Sequence, residues 1–141
     1  MTAITSIHVT IQTSGASGAG TDGDVYLGFA GREFSLDTTA DDFEAGSSRT
    51  YRLGDGANVQ NAAVNDPRTP QLAVENADRF PVWVRFAPQG REDNWILGRA
   101  SVTVNGRLFP MWDTAEHLSQ RTGIRLGTHS GQFAYLLRHN D

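Results

Sequence analysis

Asp37, Asp41 and Asp42 place three carboxylates within six residues, inside the stretch Asp37-Thr38-Thr39-Ala40-Asp41-Asp42-Phe43-Glu44-Ala45-Gly46-Ser47. Like charges held that close repel one another unless water, a proton or a cation neutralises them. A second acidic loop, Gly18-Ala19-Gly20-Thr21-Asp22, lies upstream, and its glycines let backbone carbonyls turn inward. Hard divalent cations such as Ca²⁺ take roughly six to eight oxygens from carboxylates, hydroxyls and backbone carbonyls. The two loops together offer all three kinds. The residues alone leave a second role open, in which the aspartates are turn residues whose side chains accept backbone N–H groups.

For the loops to act together, the elements between them must bring them to one end of a sheet. Val25, Leu27 and Phe29 alternate with polar or small residues, and Ala30-Gly31 can turn the chain into Glu33 to Leu36, which makes a hairpin that delivers both loops. Ile7, Val9 and Ile11 alternate with His8 and Thr10 in the period of a half-buried strand. Thr50 to Leu53 reads as a further strand stopped by Gly54-Asp55-Gly56. Val82, Val84 and Phe86 alternate again, and Pro81 suggests an edge or a strand start. The run from Trp95 to Val104 ends at Asn105-Gly106, a type I′ signal expected to return the chain through Arg107-Leu108-Phe109. Asp113-Thr114-Ala115-Glu116 has the form of a capping box and predicts a short helix over 113–121. Phe133, Tyr135 and Leu137 then alternate in a closing strand. Residues 57–79 carry no sustained period and read as a long loop insertion. The expectation is an all-β chain, a two-sheet antiparallel β-sandwich of seven or eight strands with one short helix.

Ser14-Gly15, Gly20-Thr21-Asp22, Val25-Tyr26-Leu27, Asp42-Phe43-Glu44-Ala45-Gly46-Ser47 and Thr50-Tyr51 follow one another in an order that resembles the PLAT (lipoxygenase homology, LH2) family of β-sandwich domains. Within it, the wording is most similar to the C-terminal domains of clostridial phospholipases C. Asp93-Asn94-Trp95-Ile96-Leu97 and Val102-Thr103-Val104-Asn105-Gly106 extend the resemblance over about residues 5–110. Carried across position by position, it implies Ca²⁺ ligands at Thr21, Asp22, Asp37, Asp41 and Asp42, carbonyl donors at Gly20 and Ala40, and a further pair at Asp93 and Asn94. This chain has Gly18 and Thr38 where the family pattern has an acid and an amide. Each loss removes an oxygen, so the site around Asp37 and Asp42 keeps more of its ligands than the one around Gly20 and Asp93.

Composition narrows the partners. With 141 residues, 38% of them hydrophobic, one domain over 1–141 with a core of its own is expected. Twelve basic against sixteen acidic residues leave a net charge of −4, which supplies no basic surplus for nucleic acid. No cysteine is present to form a disulfide or thiolate metal site. Met1-Thr2-Ala3 leads straight into an alternating strand with no apolar leader or bilayer-spanning run, so contact with a membrane is expected from its surface. His8, His117, His129 and His139 are isolated, and neither H-E-x-x-H nor G-x-S-x-G occurs, so no catalytic role is expected.

These readings converge on a non-catalytic, calcium-binding module that docks to membrane lipid headgroups, with bound cations offsetting the negative charge of the loops. Trp95, next to Asp93, is the candidate for insertion into the interface, with packing at the sandwich rim as its alternative. The competing expectation is a protein-interaction module whose sheet edges and 57–79 insertion make the contacts, calcium only ordering loops.

Overall fold

The computed structural model describes residues 1–114 and 123–141. The alternating stretches are strands. Ile7, Val9 and Ile11 lie buried on one face of β1, Ser6–Thr13. Val25, Leu27 and Phe29 do the same on β2, Asp24–Phe29, as do Val82, Val84 and Phe86 on β5, Val82–Ala87. Pro81 stands just before β5, where its missing N–H costs the ladder nothing. The remaining strands are β3 (Arg32–Ser35), β4 (Ser48–Gly54), β6 (Asn94–Val104), β7 (Met111–Asp113), β8 (Ile124–Gly127) and β9 (Phe133–His139). Among the described residues nine strands therefore stand where seven or eight were expected. The short β7 and β8 carry too few residues to show a period.

All pairings are antiparallel, and the strands follow one path, β3-β2-β5-β9-β7-β6-β1-β4, with β8 also paired to β6. The path curls into two layers because β9 serves both. Its first half pairs with β5 from Val82 to Arg85, and its second half pairs with β7 from Met111 to Asp113. Between the layers the core gathers Ile7, Val9, Leu27, Phe29, Phe34, Val84, Phe86, Trp95, Leu97 and Val102.

β6 shows how a long strand keeps a buried face across a break in period. Trp95 and Leu97 are buried at odd positions, then Ala100, Val102 and Val104 at even ones. The register against β1 slips here, Gln12 facing Arg99 and Thr13 facing Leu97, so Gly98 is the extra residue of a bulge. Its backbone lies against Gln12, where a Cβ would stand 3.0 Å from the carbonyl oxygen.

The Asn105-Gly106 turn forms as expected, with φ of 55° and 69° and the Arg107 N–H donating to the Val104 carbonyl at 3.0 Å. The return strand does not follow at 107–109. Met111 is the first residue to pair, opposite Thr103. Arg107 has spent its N–H on the turn, and Pro110 has none to give. Asn105 does more than turn the chain. Its Oδ1 accepts from the Thr5 N–H at 2.7 Å and the Thr5 hydroxyl at 3.0 Å, while its Nδ2 donates to the Ala3 carbonyl at 3.0 Å. Asn105→Gly keeps the positive φ and loses only these bonds, so it is expected to cost about 1–2 kcal/mol in urea unfolding. Asn105→Ala adds roughly 1–2 kcal/mol of left-handed strain. Equal losses for the two variants would show that the side-chain bridge alone matters.

Two other expectations change. Asp113, expected to open a short helix, lies in β7 with its carboxylate buried, 2.8 Å from both Arg99 and His139. The rest of the 113–121 helix lies outside the described residues. Among those described, helical geometry is confined to a 3₁₀ turn, Val74–Asp78. Residues 57–79 are not a loose loop. Val59, Leu72 and Ala77 enter the core, and Arg32 holds the segment by donating to the Asp66 carbonyl at 2.8 Å.

Candidate metal centre in the acidic loops

The tight Ala30-Gly31 turn, with φ of 54° and 87°, fixes which residues can meet. It pairs β2 with β3 so that Asp22 and Asp24 before the hairpin share one end of the sheet with Asp37 after it. The β1–β4 and β1–β6 registers bring Thr13, Ser48 and Leu97 to the same end, and with them the loops that precede β4 and β6. Backbone bonds then fasten loop to loop. Thr21 N–H donates to the Phe43 carbonyl at 3.1 Å and Ile96 N–H to the Ala19 carbonyl at 3.0 Å.

Two adjoining clefts open there. One, of about 160 Å³, is lined by Asp22, Asp24, Asp37, Ala40, Asp41 and Asp42. The other, of about 360 Å³, is lined by Gly18, Gly20, Thr21, Asp22, Glu44 and Asp93. Asp22 faces both. Oxygens of Asp22, Asp41 and Glu44 all lie within 4.8 Å of one another, and all three residues are exposed. The carboxyl of Asp37 is held above its ordinary range, first by burial and then by the neighbouring carboxylates of Asp42 and Asp24. This end of the molecule therefore carries negative charge that the fold only partly neutralises.

Asp42 has a different environment. Its Oδ2 accepts from the Thr38 N–H at 2.9 Å, and its Oδ1 accepts from the Thr38 hydroxyl at 2.9 Å, the Tyr51 hydroxyl at 2.9 Å and Arg49 at 3.2 Å. The side chain is only 6% exposed. Burial, then the Asp42 carboxylate, pushes the Tyr51 hydroxyl far above its ordinary range, so it stays a donor. Asp42 is the floor on which the loop is built. Asp93 is similarly engaged, taking the Thr21 hydroxyl at 2.7 Å and the Gln89 N–H at 2.8 Å. Asn94 opens β6 opposite Gly127 and lines neither cleft.

Glu44 is the residue that position-by-position reading passed over. Its place depends on Phe43, whose backbone sits at φ 63°, a conformation a bulky residue adopts only under compulsion. The ring supplies it, buried against Tyr51 at 5.6 Å and Trp95 at 5.5 Å. With Phe43 pinned inward, Asp42 and Glu44 are divided between floor and mouth. Trp95 is part of the same anchor and not a membrane contact. It is fully buried, packs on Phe43 and Phe86, and donates its indole N–H to Thr13 at 2.9 Å. The bulged register of β6 turns it into the core.

No protein-family model matches the sequence, and no curated protein matches it either. Solved structures do. Alpha-toxin from an avian strain of Clostridium perfringens superposes with a TM-score of 0.65 at 19% identity, over 96% of this chain and 32% of that one. Alpha-toxin from Clostridium absonum gives 0.64 at 18% identity, again over 96% of this chain and 32% of that one. Coral 8R-lipoxygenase, described as activated by calcium via a C2-like domain, gives 0.55 at 16% identity, over 94% of this chain and 17% of the enzyme. The fold is PLAT/C2-like. At these identities the likeness is one of fold, and this chain spans about a third of the length of the toxins or less than a fifth of the lipoxygenase. On this PLAT/C2-like frame, the acidic clefts occupy the end where β2 and β6 begin and β3 ends. No helix among the described residues is long and apolar enough to cross a membrane.

Proposed function

We propose that this chain is a non-catalytic Ca²⁺-binding module that docks to lipid headgroups through its acidic loop end. The observation that carries the reading is the convergence of Asp22, Asp41 and Glu44 within 4.8 Å at the mouth of the clefts, beside an Asp37 whose ionised form is disfavoured. A hard cation placed among these carboxylates relieves their repulsion and finds additional oxygens in backbone carbonyls and water. Once bound, it turns a repulsive surface into one that attracts anionic phosphates, so docking is a charge switch and not a reaction. Calcium activation via a C2-like domain in the coral lipoxygenase supports the same reading for a chain of this fold.

Ligands this exposed place the affinity in the range of extracellular modules, about 10⁻⁴ to 10⁻³ M. Calorimetric titration of the chelator-stripped chain with Ca²⁺ is expected to saturate in that range, and Asp41→Asn to weaken binding at least about tenfold, roughly 1.4 kcal/mol. Co-sedimentation with phosphatidylserine vesicles should require Ca²⁺ and fail with the chelator present. No heat at millimolar Ca²⁺, or binding untouched by Asp41→Asn, would remove these loops as the site.

A further inference from the structure

The outer face of the β2–β5–β9 sheet is built unlike the face of a strand that only closes a core. On β9 the inward residues are Ala134 and Leu136, while Phe133, Tyr135 and Leu137 point to solvent at 46%, 52% and 40% exposure. The larger side chains are outside, against the hydrophobic cost of leaving them there. Beside them on β5, the Trp83 indole lies across Gly28. The atoms nearest to where a Gly28 Cβ would stand include both ring-fusion carbons, which an edge-on ring would not present. The indole is thus laid on the sheet, and any side chain at position 28 would lift it.

Polar contacts hold that arrangement. Trp83 Nε1 donates to Glu33 at 3.0 Å, and Arg85 grips the same carboxylate through Nε at 3.0 Å and Nη2 at 2.7 Å. The Arg85 guanidinium in turn covers the Tyr26 ring at 4.2 Å. Phe133 stands 6.2 Å from Trp83 at 63°, and Tyr135 continues from Phe133 at 6.2 Å with its ring nearly parallel, at 13°. The result is a prearranged indole floor with two aromatic walls and a polar rim, and a ligand binding there has little ordering left to do.

We propose that this face binds the ring of a neutral carbohydrate. Aromatic faces carry negative charge density that suits the weakly positive C–H groups on the flat side of a sugar ring. The rim offers hydroxyl partners in Arg85, Tyr135 and Glu33, whose Oε1 takes one of the three incoming bonds and keeps acceptor capacity. Charge selects against other ligands. Glu33 and Arg85 cancel, so nothing draws a phosphate or carboxylate, and a quaternary ammonium over the rings would meet the Arg85 guanidinium. Size selects against a protein. The exposed aromatic area is on the order of 300 Å², well short of the roughly 800 Å² per partner of a stable interface. Glu33, Trp83, Arg85, Phe133 and Tyr135 line neither acidic cleft, so the site stands apart from the proposed Ca²⁺ centre.

The test is native affinity electrophoresis of the 141-residue chain in gels containing soluble glucan, xylan, mannan or galactan, followed by titration of the retarding polysaccharide's hexasaccharide against indole fluorescence. Trp95 and Trp112 are buried, so a saturable fluorescence change reports Trp83. Retardation by at least one of these polysaccharides is expected, with or without chelator. Tyr135→Ala should weaken it about 3- to 10-fold and Trp83→Ala should abolish it. Tyr135 is half exposed, so its variant should melt like the parent and separate lost binding from lost folding. Mobility unaffected by all four polysaccharides, or retardation that survives both substitutions, overturns the proposal. Self-association by light scattering that disappears in Tyr135→Ala would overturn it too, and assign the face to a second copy.

Discussion

Trp95→Ala is expected to lower the midpoint of thermal unfolding by roughly 10–20 °C, the largest loss for any single side chain in the acidic end. Removing a fully buried indole costs about 3–5 kcal/mol, because transfer free energy is lost and a cavity remains. In a domain of this size, each kcal/mol moves the midpoint by about 3–5 °C. Trp95 should sit high in that range. Its ring supports Phe43 and Phe86, and its N–H is bonded to the buried Thr13 hydroxyl, which the alanine variant leaves without that donor. The damage should also reach the loop. Phe43 keeps its left-handed backbone only while its ring is clamped, and that backbone divides Asp42 from Glu44. Ca²⁺ affinity measured below the lowered midpoint should therefore fall as well. Trp95→Phe, which refills most of the cavity, should recover most of the midpoint. A Trp95→Ala chain that melts like the parent yet loses vesicle binding would instead restore the membrane role that burial denies it.

The contrast between Trp95 and Asp42 shows what could be read from the chain. Strand periods were legible wherever one face is buried along its whole length, as in Ile7 to Ile11 and Val25 to Phe29, because alternation is itself the consequence of burial. β6 breaks that rule at Gly98. Its parity changes mid-strand, so the side on which Trp95 falls follows from the bulge and not from the period. The acidic loops were legible as a cluster of charge, since proximity in sequence is enough for repulsion. Which carboxylate does what was not. Asp42 and Asp41 are neighbours in the chain, yet Asp42 becomes a buried acceptor because β4 brings Arg49 and Tyr51 beneath it. That assignment is made by tertiary contacts. The aromatic face of β9 has a similar origin: Phe133, Tyr135 and Leu137 have the alternation of a core strand, and only the pairing with β5 shows that they look outward.

Asp37→Asn is expected to change the chain's stability in opposite directions with and without Ca²⁺. In the metal-free fold the Asp37 carboxyl is held above the ordinary carboxylate range, first by burial and then by Asp42 and Asp24. A raised folded value means that the folded state binds the proton more tightly than the unfolded one. By linkage, this group's contribution is most favourable below the unfolded value and is lost as pH rises through the folded one. At neutral pH the loss is complete, and the carboxylate burdens the apo fold. Glu33 acts in the reverse sense. Arg85 holds its carboxyl below the ordinary range, so its stabilisation is present above the unfolded value and fades as acid protonates it. The acid limb of the stability profile thus belongs in part to the outer sheet face, and the neutral limb to the acidic loops. A cation bound among those loops reverses the neutral limb, and at a hundredfold excess over its dissociation constant adds about 2.7 kcal/mol. That corresponds to a rise of roughly 8–13 °C in the midpoint. Asp37→Asn removes both the burden and one negative ligand. In chelator at pH 7 the variant should melt above the parent, and near pH 3 the two should coincide. In saturating Ca²⁺ the order should invert, since the parent gains the full increment and the variant only part. Scanning calorimetry across both axes reads the crossing directly. A variant less stable than the parent in chelator would mean that Asp37 is a structural turn acceptor, and parallel gains on adding Ca²⁺ would place the ion away from it.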